Sequence, residues 1–475
     1  MGRLIVVSNH VHLSSEQEDD DQEGLAVALA AALRSTSGMW FGWSGRVTER
    51  FSGQIDLQRR DGITTALVDL EAQDADEYFG GFANRTLWPL FHYRVDLAEH
   101  ERGYACGYHR VNERFAETMM PMVASDDLIW VHDYHLIPLG AELRRRGCRN
   151  RIGFFLHTPW PPRRLLTSLP GHRSLVEAMF EYDLIGFQTH DWLDSFLHYV
   201  REELGARVDA DGTIDLDGRS VRAIVCPMGI DAAAFGEAAC DEAARQRQES
   251  LARSCEGRTM IIGVDRLDQA KGIEERFRGY ERLLARRPDL QGRLFFLQVT
   301  PPPQGDVGGH REIRARLDTL SGHINGAFAT AEWAPLRYVN RGYARETLAD
   351  MYRAARVGFV TPLCDGMNLV AKEYVAAQDP DDPGVLILSH FAGAAAQLKQ
   401  ALLVNPHSPE EVADALERAI AMPRAERLAR WRALMDNVES EDVNWWLQHF
   451  LYALDPPTLA SPDCPGGEND LATAS

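Results

Sequence analysis

Lysine is nearly absent from this chain. The basic residues of its 475 positions are almost all arginine, and the only lysines are Lys271, Lys372 and Lys399. Two of the three fall inside motifs described below, which suggests a specific need for a compact ammonium there. Positive balance is lacking as well. The formal net charge of -20 argues against nucleic acid and anionic membrane surfaces as partners. Any cation that meets a phosphorylated ligand must therefore be placed locally. No apolar run approaches the ~20 residues needed to span a bilayer. The seven cysteines are odd in number and scattered, with no Cys-x-x-Cys pair. That excludes a regular disulfide framework or thiolate zinc site and points to a reduced, cytoplasmic protein. Repeats at solenoid periods are missing. The N-terminal Met1–Ser8 reads as a strand and not a signal peptide, and Val6 breaks the myristoylation pattern.

What is present is a rhythm of short apolar runs and amphipathic helices. Leu4–Val7, Leu128–Val131, Ile152–Leu156, Leu184–Phe187 and Ala223–Val225 read as strands of one sheet. Met260–Val264, Leu294–Val299, Val357–Val360 and Val385–Leu388 read as strands of a second. Helical periodicity lies between them, for example over Glu274–Leu284 and Glu410–Ala421. Such βαβ alternation predicts an α/β protein with two Rossmann-like, doubly wound parallel sheets. The chain length fits two domains. The polar stretch Glu237–Arg258 separates them, giving an N-terminal domain over 1–240 and a C-terminal domain over 241–440. Residues 441–455 are expected to form a helix packing back on the first domain, and 456–475 a disordered tail. The acid-rich loop Ser14–Glu23 reads as mobile.

The chemistry-bearing residues lie just after the expected strands, where open parallel sheets hold ligands. The run Asp365-Gly366-Met367-Asn368-Leu369-Val370-Ala371-Lys372-Glu373 follows the strand Val357–Val360 and opens a helix. A glycine turn at a helix N-terminus suits an anionic ligand. Asp365 and Glu373 suit hydroxyl groups of a sugar and a ribose. This string resembles the donor-binding signature of the trehalose-6-phosphate synthase family of retaining glycosyltransferases, and the resemblance extends over roughly residues 1 to 450. It implies the GT-B architecture, two Rossmann-like domains facing a cleft.

The resemblance assigns roles residue by residue. Arg266 and Lys271 would grip the donor diphosphate; the alternative is a surface pair with Asp265 or Asp268. Asp365 would bind a glucosyl hydroxyl and Glu373 the ribose. Gly24, Gly366, Met367, Asn368 and Leu369 would complete the donor site. Asp133 would contact the acceptor and His157 the transferred sugar, although His157 also reads as a core histidine. Trp43 and Trp88 read equally as acceptor-side stacking platforms and as core. His132, Asp133 and His135 lack the facial geometry of a metal site, and no metal or other cofactor is expected.

The acceptor side departs from the family. Its Ser-Asn-Arg is here Ser8-Asn9-His10, a family tyrosine is Phe79, and an arginine is Gln304. In the family these three hold the phosphate of glucose 6-phosphate. Cys364 replaces another arginine, and Glu23-Gly24 replaces a glycine pair. Arg46, Arg85 and His10 itself are the nearest compensating groups in sequence.

The expected reaction is retaining transfer of glucose from UDP-glucose, or another nucleoside diphosphate glucose, to an anomeric hydroxyl. The product is α,α-1,1-linked, and is trehalose 6-phosphate if the acceptor is glucose 6-phosphate. The alternatives are a non-phosphorylated sugar, amino sugar or cyclitol acceptor, or a non-catalytic nucleotide-sugar-binding regulator. The partners are small molecules, and a homo-oligomer is allowed.

Overall fold

Two sheets, each with a reversal of strand order near its centre, organise the molecule. The computed structural model describes residues 2–11, 29–30, 33–34, 38–60, 62–238, 247–249, 251, 253, 255–302 and 309–456. The first unit contains β1 (Leu4–His10), β2 (Met39–Thr48), β3 (Ile55–Arg60), β4 (Ile63–Glu71), β5 (Leu128–His132), β6 (Ile152–Phe155), β7 (Leu184–Phe187), β8 (Arg207–Val208), β9 (Thr213–Leu216) and β10 (Arg219–Val225). Their order is β3-β4-β2-β1-β5-β6-β7-β10-β9-β8. The seven strands from β4 to β10 pair in parallel, while β3 and the β8–β9 hairpin add antiparallel edges. Its helices include α1 (Arg102–Met119) and α2 (His190–Tyr199).

The second sheet is wholly parallel, in the order β13-β12-β11-β14-β15-β16. Its strands are β11 (Thr259–Val264), β12 (Leu294–Val299), β13 (Leu336–Val339), β14 (Val357–Val360), β15 (Val385–Ser389) and β16 (Leu402–Val404). Helices α3 (Ala232–Ala238), α4 (Ile273–Arg286), α5 (Gly309–Phe328), α6 (Arg345–Ala354), α7 (Leu369–Ala377), α8 (Pro409–Ala421) and α9 (Arg424–Ser440) accompany it. None of the described helices is long and apolar enough to cross a membrane.

The central strands read as unbroken apolar runs because helices cover both faces of each sheet. All six residues of β12 are buried. By contrast β3, Ile-Asp-Leu-Gln-Arg-Arg, lies at an edge with its polar residues exposed. Polar edge strands resist pairing with other chains, and for the same reason they escape a search for apolar runs. Strands β2, β3, β4, β8, β9, β13 and β16 were not among those expected from the sequence.

The change of core comes earlier than the expected boundary at 240/241. Ile230, Ala232 and Phe235 already pack with Tyr352, Tyr374 and Ala376 of the second unit. The apolar face of α3 decides this, and the polar stretch after it does not. At the other end the chain returns. Helix α10 (Val443–Leu454) lies under the first sheet, where Phe450 stacks on Trp130 at 4.6 Å and Trp446 packs at 4.9 Å. Gly153 of β6 and Gly186 of β7 leave the room that the Phe450 ring fills. The expected mobile loop at 14–23 and tail lie outside the described residues, apart from Pro456.

At the carboxyl ends of the second sheet's strands, Arg276 of α4 is fully buried. It pairs with Asp265, donates to Thr361 Oγ1 at 3.0 Å and to Gln298 Oε1 at 2.9 Å. Burial raises the Asp265 carboxyl, and Arg276 opposes that shift. Removing one member of such a pair leaves an uncompensated buried charge. Arg276→Met is therefore expected to cost about 3–5 kcal/mol in a urea titration, and adding Asp265→Asn should recover part of it.

Candidate active site

The strand order of the first sheet reverses between β1 and β5, and that of the second between β11 and β14. Crevices open at such switch points, outside the carboxyl ends of the strands. His10 ends β1, and Asp133 follows β5. Arg266 and Lys271 follow β11, and Asp365 follows β14.

On the second unit, Asp268 caps a short turn by accepting from the Ala270 N–H at 2.8 Å. Gly272, at φ 63°, then starts α4. This turn delivers Lys271, whose Nζ donates to Asp365 Oδ2 at 2.5 Å. Burial disfavours the Lys271 charge, but Asp365 outweighs it and holds the ammonium above its usual pKa. Burial likewise pushes the Asp365 carboxyl up, and Lys271, His92 and Asn368 together hold it below the usual range. Both groups stay charged. The Arg266 side chain is exposed, and its guanidinium bears on both Lys271 and the Tyr134 phenol of the first unit.

Asn368 occupies the left-handed region at φ 73° as the residue before α7. Its Nδ2 donates to Asp365 Oδ2 at 3.0 Å. The first turn of α7 thus presents its unpaired N–H groups beside the Lys271–Asp365 pair. The turn is pinned by the small-residue segment after β15. Asp365 N–H donates to Phe391 O at 3.0 Å, Gly393 N–H to Asp365 O at 3.0 Å, and Ala394 N–H to Met367 O at 2.8 Å. Met367 is buried in the core. Glu373, in the second turn of α7, is half-buried. Burial raises its carboxyl to about 7, with Arg345 pulling the other way.

The two units touch at this turn. A Cβ on Gly366 would overlap the carbonyl of His157, and one on Gly393 would overlap the carbonyl of Gly366. Trp192 Nε1 of α2 donates to Gly366 O at 3.2 Å. Arg94 Nη1 reaches Gln269 Oε1 at 2.9 Å.

On the first unit, Asp133 has φ 73° and ψ 166°, a region rarely populated except by glycine, costing about 1–3 kcal/mol. Its N–H donates to Phe155 O at 2.8 Å. Its Oδ1 accepts from His157 N–H at 3.2 Å. His157 Nε2 lies 3.0 Å from His132 Nδ1. Burial lowers the His157 imidazole to about 3 and keeps His132 well below its usual pKa, the latter with help from His157. His135 falls to about 3 through burial and the nearby His10. These imidazoles are neutral near pH 7. His132 and His135 take different partners: His135 stacks on Phe79 at 6.1 Å and packs on Tyr134 at 4.0 Å.

His10 sits in an aromatic cluster, 4.2 Å from the Trp43 ring and 5.5 Å from Phe79. Trp43 itself is buried, its Nε1 donating to Arg46 O at 2.8 Å; it is a wall behind His10. Trp88 is half-buried and packs on His92 at 3.9 Å and Tyr134 at 5.9 Å. Arg46 pairs with Asp69 at 3.2 Å. Arg85 bonds Tyr104 Oη at 3.0 Å and lies 3.9 Å from Glu99.

Of the residues singled out in the sequence, Arg266, Lys271, Asp365, Gly366, Met367, Asn368, Leu369 and Glu373 gather on the second unit. His10, Trp43, Phe79, Trp88, Asp133 and His157 line the facing one. Gly24 and Gln304 lie outside the described residues. Lys372, the second motif lysine, takes no part in the cleft: it is fully buried and donates to Met228 O at 2.7 Å. The sequence reading missed Trp192 and Gln188. Gln188 is the first polar residue after β7, the same signal that marked Asp133 and His157; nothing in sequence marks Trp192.

The chain matches the model of glycosyltransferase family 20 over residues 2–455. It is 45% identical over 466 residues to a trehalose-6-phosphate synthase of Sinorhizobium fredii, covering 98% of this chain and 100% of that one. A UDP-forming α,α-trehalose-phosphate synthase of Burkholderia xenovorans, solved in complex with glucose-6-phosphate, superposes with a TM-score of 0.92 at 45% identity, covering 95% of this chain and 100% of that chain. An E. coli relative solved with UDP-2-fluoro glucose gives 0.90 at 41% identity, covering 95% and 99%.

Two outcomes follow from the donor-side electrostatics. Lys271→Ala is expected to lower kcat by ~10²-fold or more in a nucleoside-diphosphate release assay. If Glu373 meets the ribose of the donor, it links donor binding to pH. Ribose hydroxyl donors would favour its carboxylate form, so binding should then release a proton, and donor affinity should fall about 5-fold from pH 7 to pH 6. Calorimetry in buffers of different ionisation enthalpy reads the proton directly. In the free protein the sign is reversed. The raised pKa contributes stability that is full below the ordinary value of 4.5 and is lost as the pH rises through about 7.

Proposed function

The chain belongs to glycosyltransferase family 20, and from that premise we propose how its cleft works as a trehalose-6-phosphate synthase-type enzyme. A glucosyl group passes from UDP-glucose to the anomeric hydroxyl of glucose 6-phosphate with retention of configuration. The observation that carries this reading is the seating of the Asp365–Asn368 turn on the His157 carbonyl. It brings a diphosphate-binding helix N-terminus against the residues suited to orient two sugars.

In this reading Glu373 holds the ribose, and Asp365 holds a hydroxyl of the transferred glucose. Arg266, Lys271 and the N–H groups at Asn368 and Leu369 hold the diphosphate, together with Gly24. The bond between the anomeric carbon and the diphosphate oxygen breaks as the acceptor oxygen bonds the same carbon from the same face. The acceptor's proton passes to the departing phosphate oxygen. The protein supplies orientation through Asp133 and His157 and charge stabilisation through Arg266, Lys271 and the α7 dipole. A glycosidase-type carboxylate pair is not needed. No divalent metal is needed either, because the two cations take its place on the diphosphate. We place the reaction in the cytoplasm, where the free thiols of Cys106, Cys148, Cys226, Cys255 and Cys364 suit a reducing compartment.

A second reading of the acceptor rests on the aromatic cluster. His10, Trp43, Phe79 and His135 form a wall of rings where the family places phosphate-binding arginines, and Arg46 and Arg85 are paired with carboxylates. Such a wall favours the C–H face of a neutral sugar. A charge-assisted hydrogen bond contributes about 1.5–3 kcal/mol, so two missing arginines weaken phosphate binding by ~10²–10⁴-fold. Incubation with UDP-glucose and either glucose 6-phosphate or glucose, with product mass, separates the readings. Trehalose 6-phosphate as the dominant product is the expected outcome. Release of UDP with glucose alone would establish the second reading, and His10→Arg should then raise activity toward glucose 6-phosphate.

A further inference from the structure

A file of hydrogen bonds runs from the donor-loop helix to His157. Lys372 Nζ, inside α7, donates to Met228 O at 2.7 Å. Met228 lies on the crossover between β10 and α3, and its N–H donates to Gln188 Oε1 at 2.8 Å. Gln188 Nε2 lies 3.4 Å from His157 Nδ1, and His157 Nε2 lies 3.0 Å from His132 Nδ1. Lys372, Met228, Gln188 and His132 are each at most 2% exposed.

The direction of the file follows from its one invariant member. A backbone N–H can only donate, so the Gln188 oxygen must face Met228 and its NH₂ must face His157. His157 Nδ1 must then accept, which leaves its proton on Nε2. That proton faces His132 Nδ1, so His132 carries its own proton on Nε2. The crossover cannot shift independently. Gly229 has no room for a side chain against Glu441 and Asp442, Val443 N–H donates to Ile230 O at 3.2 Å, and Cys226 Sγ lies 3.5 Å from Trp446 O. The Met228 peptide therefore joins α7, through Lys372, to the end of β7, through Gln188.

We propose that Gln188 is a positioning residue for the transfer reaction. It locks His157 as the Nε2–H tautomer and, through the Met228 peptide and Lys372, ties the orientation of His157 to the seating of the donor-loop helix. Its bearing on turnover rests on the reading of the cleft given above; its bearing on the tautomer does not. With both ring nitrogens engaged, His157 holds its own backbone in place. Its carbonyl lies under Gly366 and its N–H bonds Asp133.

The test uses the full chain labelled with ¹⁵N-histidine, with the two rings assigned from His157→Gln and His132→Gln. Both rings are expected as Nε2–H tautomers. Gln188→Glu keeps an acceptor for the Met228 N–H but turns an oxygen toward Nδ1. His157 should then carry a proton on Nδ1, His132 should follow, and kcat should fall by about 10-fold or more with donor KM within about 2-fold. Gln188→Met, close in volume and without either bond, should lower kcat without forcing the Nδ1 proton, which separates tautomer locking from packing. Wild-type His157 found as the Nδ1–H tautomer, or unchanged ring shifts in Gln188→Glu, would overturn the proposal. Full turnover by His157→Gln would instead remove the assignment of His157 to the reaction, while the ring shifts still decide the tautomer lock.

Discussion

Two backbones meet without side chains between them at Gly366, and the architecture of the cleft depends on that contact. The carbonyl of His157, the glycine at 366 and the glycine at 393 are stacked so closely that a methyl at either glycine would overlap a carbonyl. The seam sets the distance between the donor turn and the ends of β5 and β6. Trp192 and the Arg94–Gln269 bond flank it, and the Lys372–Met228 bond fixes the crossover behind it. Glycine is required here for its absent side chain, since neither position adopts a positive φ.

Charge is arranged with the same economy. In a chain carrying a net -20, the positive groups of the cleft are few, and each is prepared by a specific neighbour. Asp365 keeps Lys271 charged despite burial. Arg276, one shell further in, fixes Asp265 at the end of β11 and thereby the loop that carries Arg266. The facing unit contributes the neutral imidazoles of His132, His135 and His157 and a set of aromatic rings. The Lys271 and Arg266 cations thus lie on the second unit, and the first unit faces them with rings. Asp133, in a backbone region usually reserved for glycine, is the carboxylate placed between them.

Much of the fold was legible because central parallel strands are buried on both faces and so appear as continuous apolar runs. Leu294–Val299 and Val357–Val360 are of this kind. Edge strands such as Ile55–Arg60 face solvent and carry charge, and no apolar run marks them. The unit boundary was misplaced because polarity was taken as the sign of a linker, whereas the apolar face of Ala232–Ala238 had already joined the second core. In the site, Arg266, Lys271, Asp365, Asn368 and Glu373 were singled out from their place after two strands and from the scarcity of lysine, and the structure brings them together on the second unit. Trp192 was not, because its partner, Gly366, is a backbone group of a distant segment; Gln188 carried the after-strand signal and was passed over.

The sequence by itself determined the α/β class, the family and which charged groups stand after β11 and β14. Those properties reside in local patterns: apolar runs of strand length, a glycine turn before a helix, and an ammonium beside an arginine. Only the tertiary structure decided which lysine faces the cleft. Lys271 and Lys372 both stand within motifs, yet one meets Asp365 at the mouth of the site and the other is buried against Met228. The physical reason is that a side chain's role depends on which distant backbone or carboxylate closes over it: the turn after β14 for Lys271, and the crossover between β10 and α3 for Lys372.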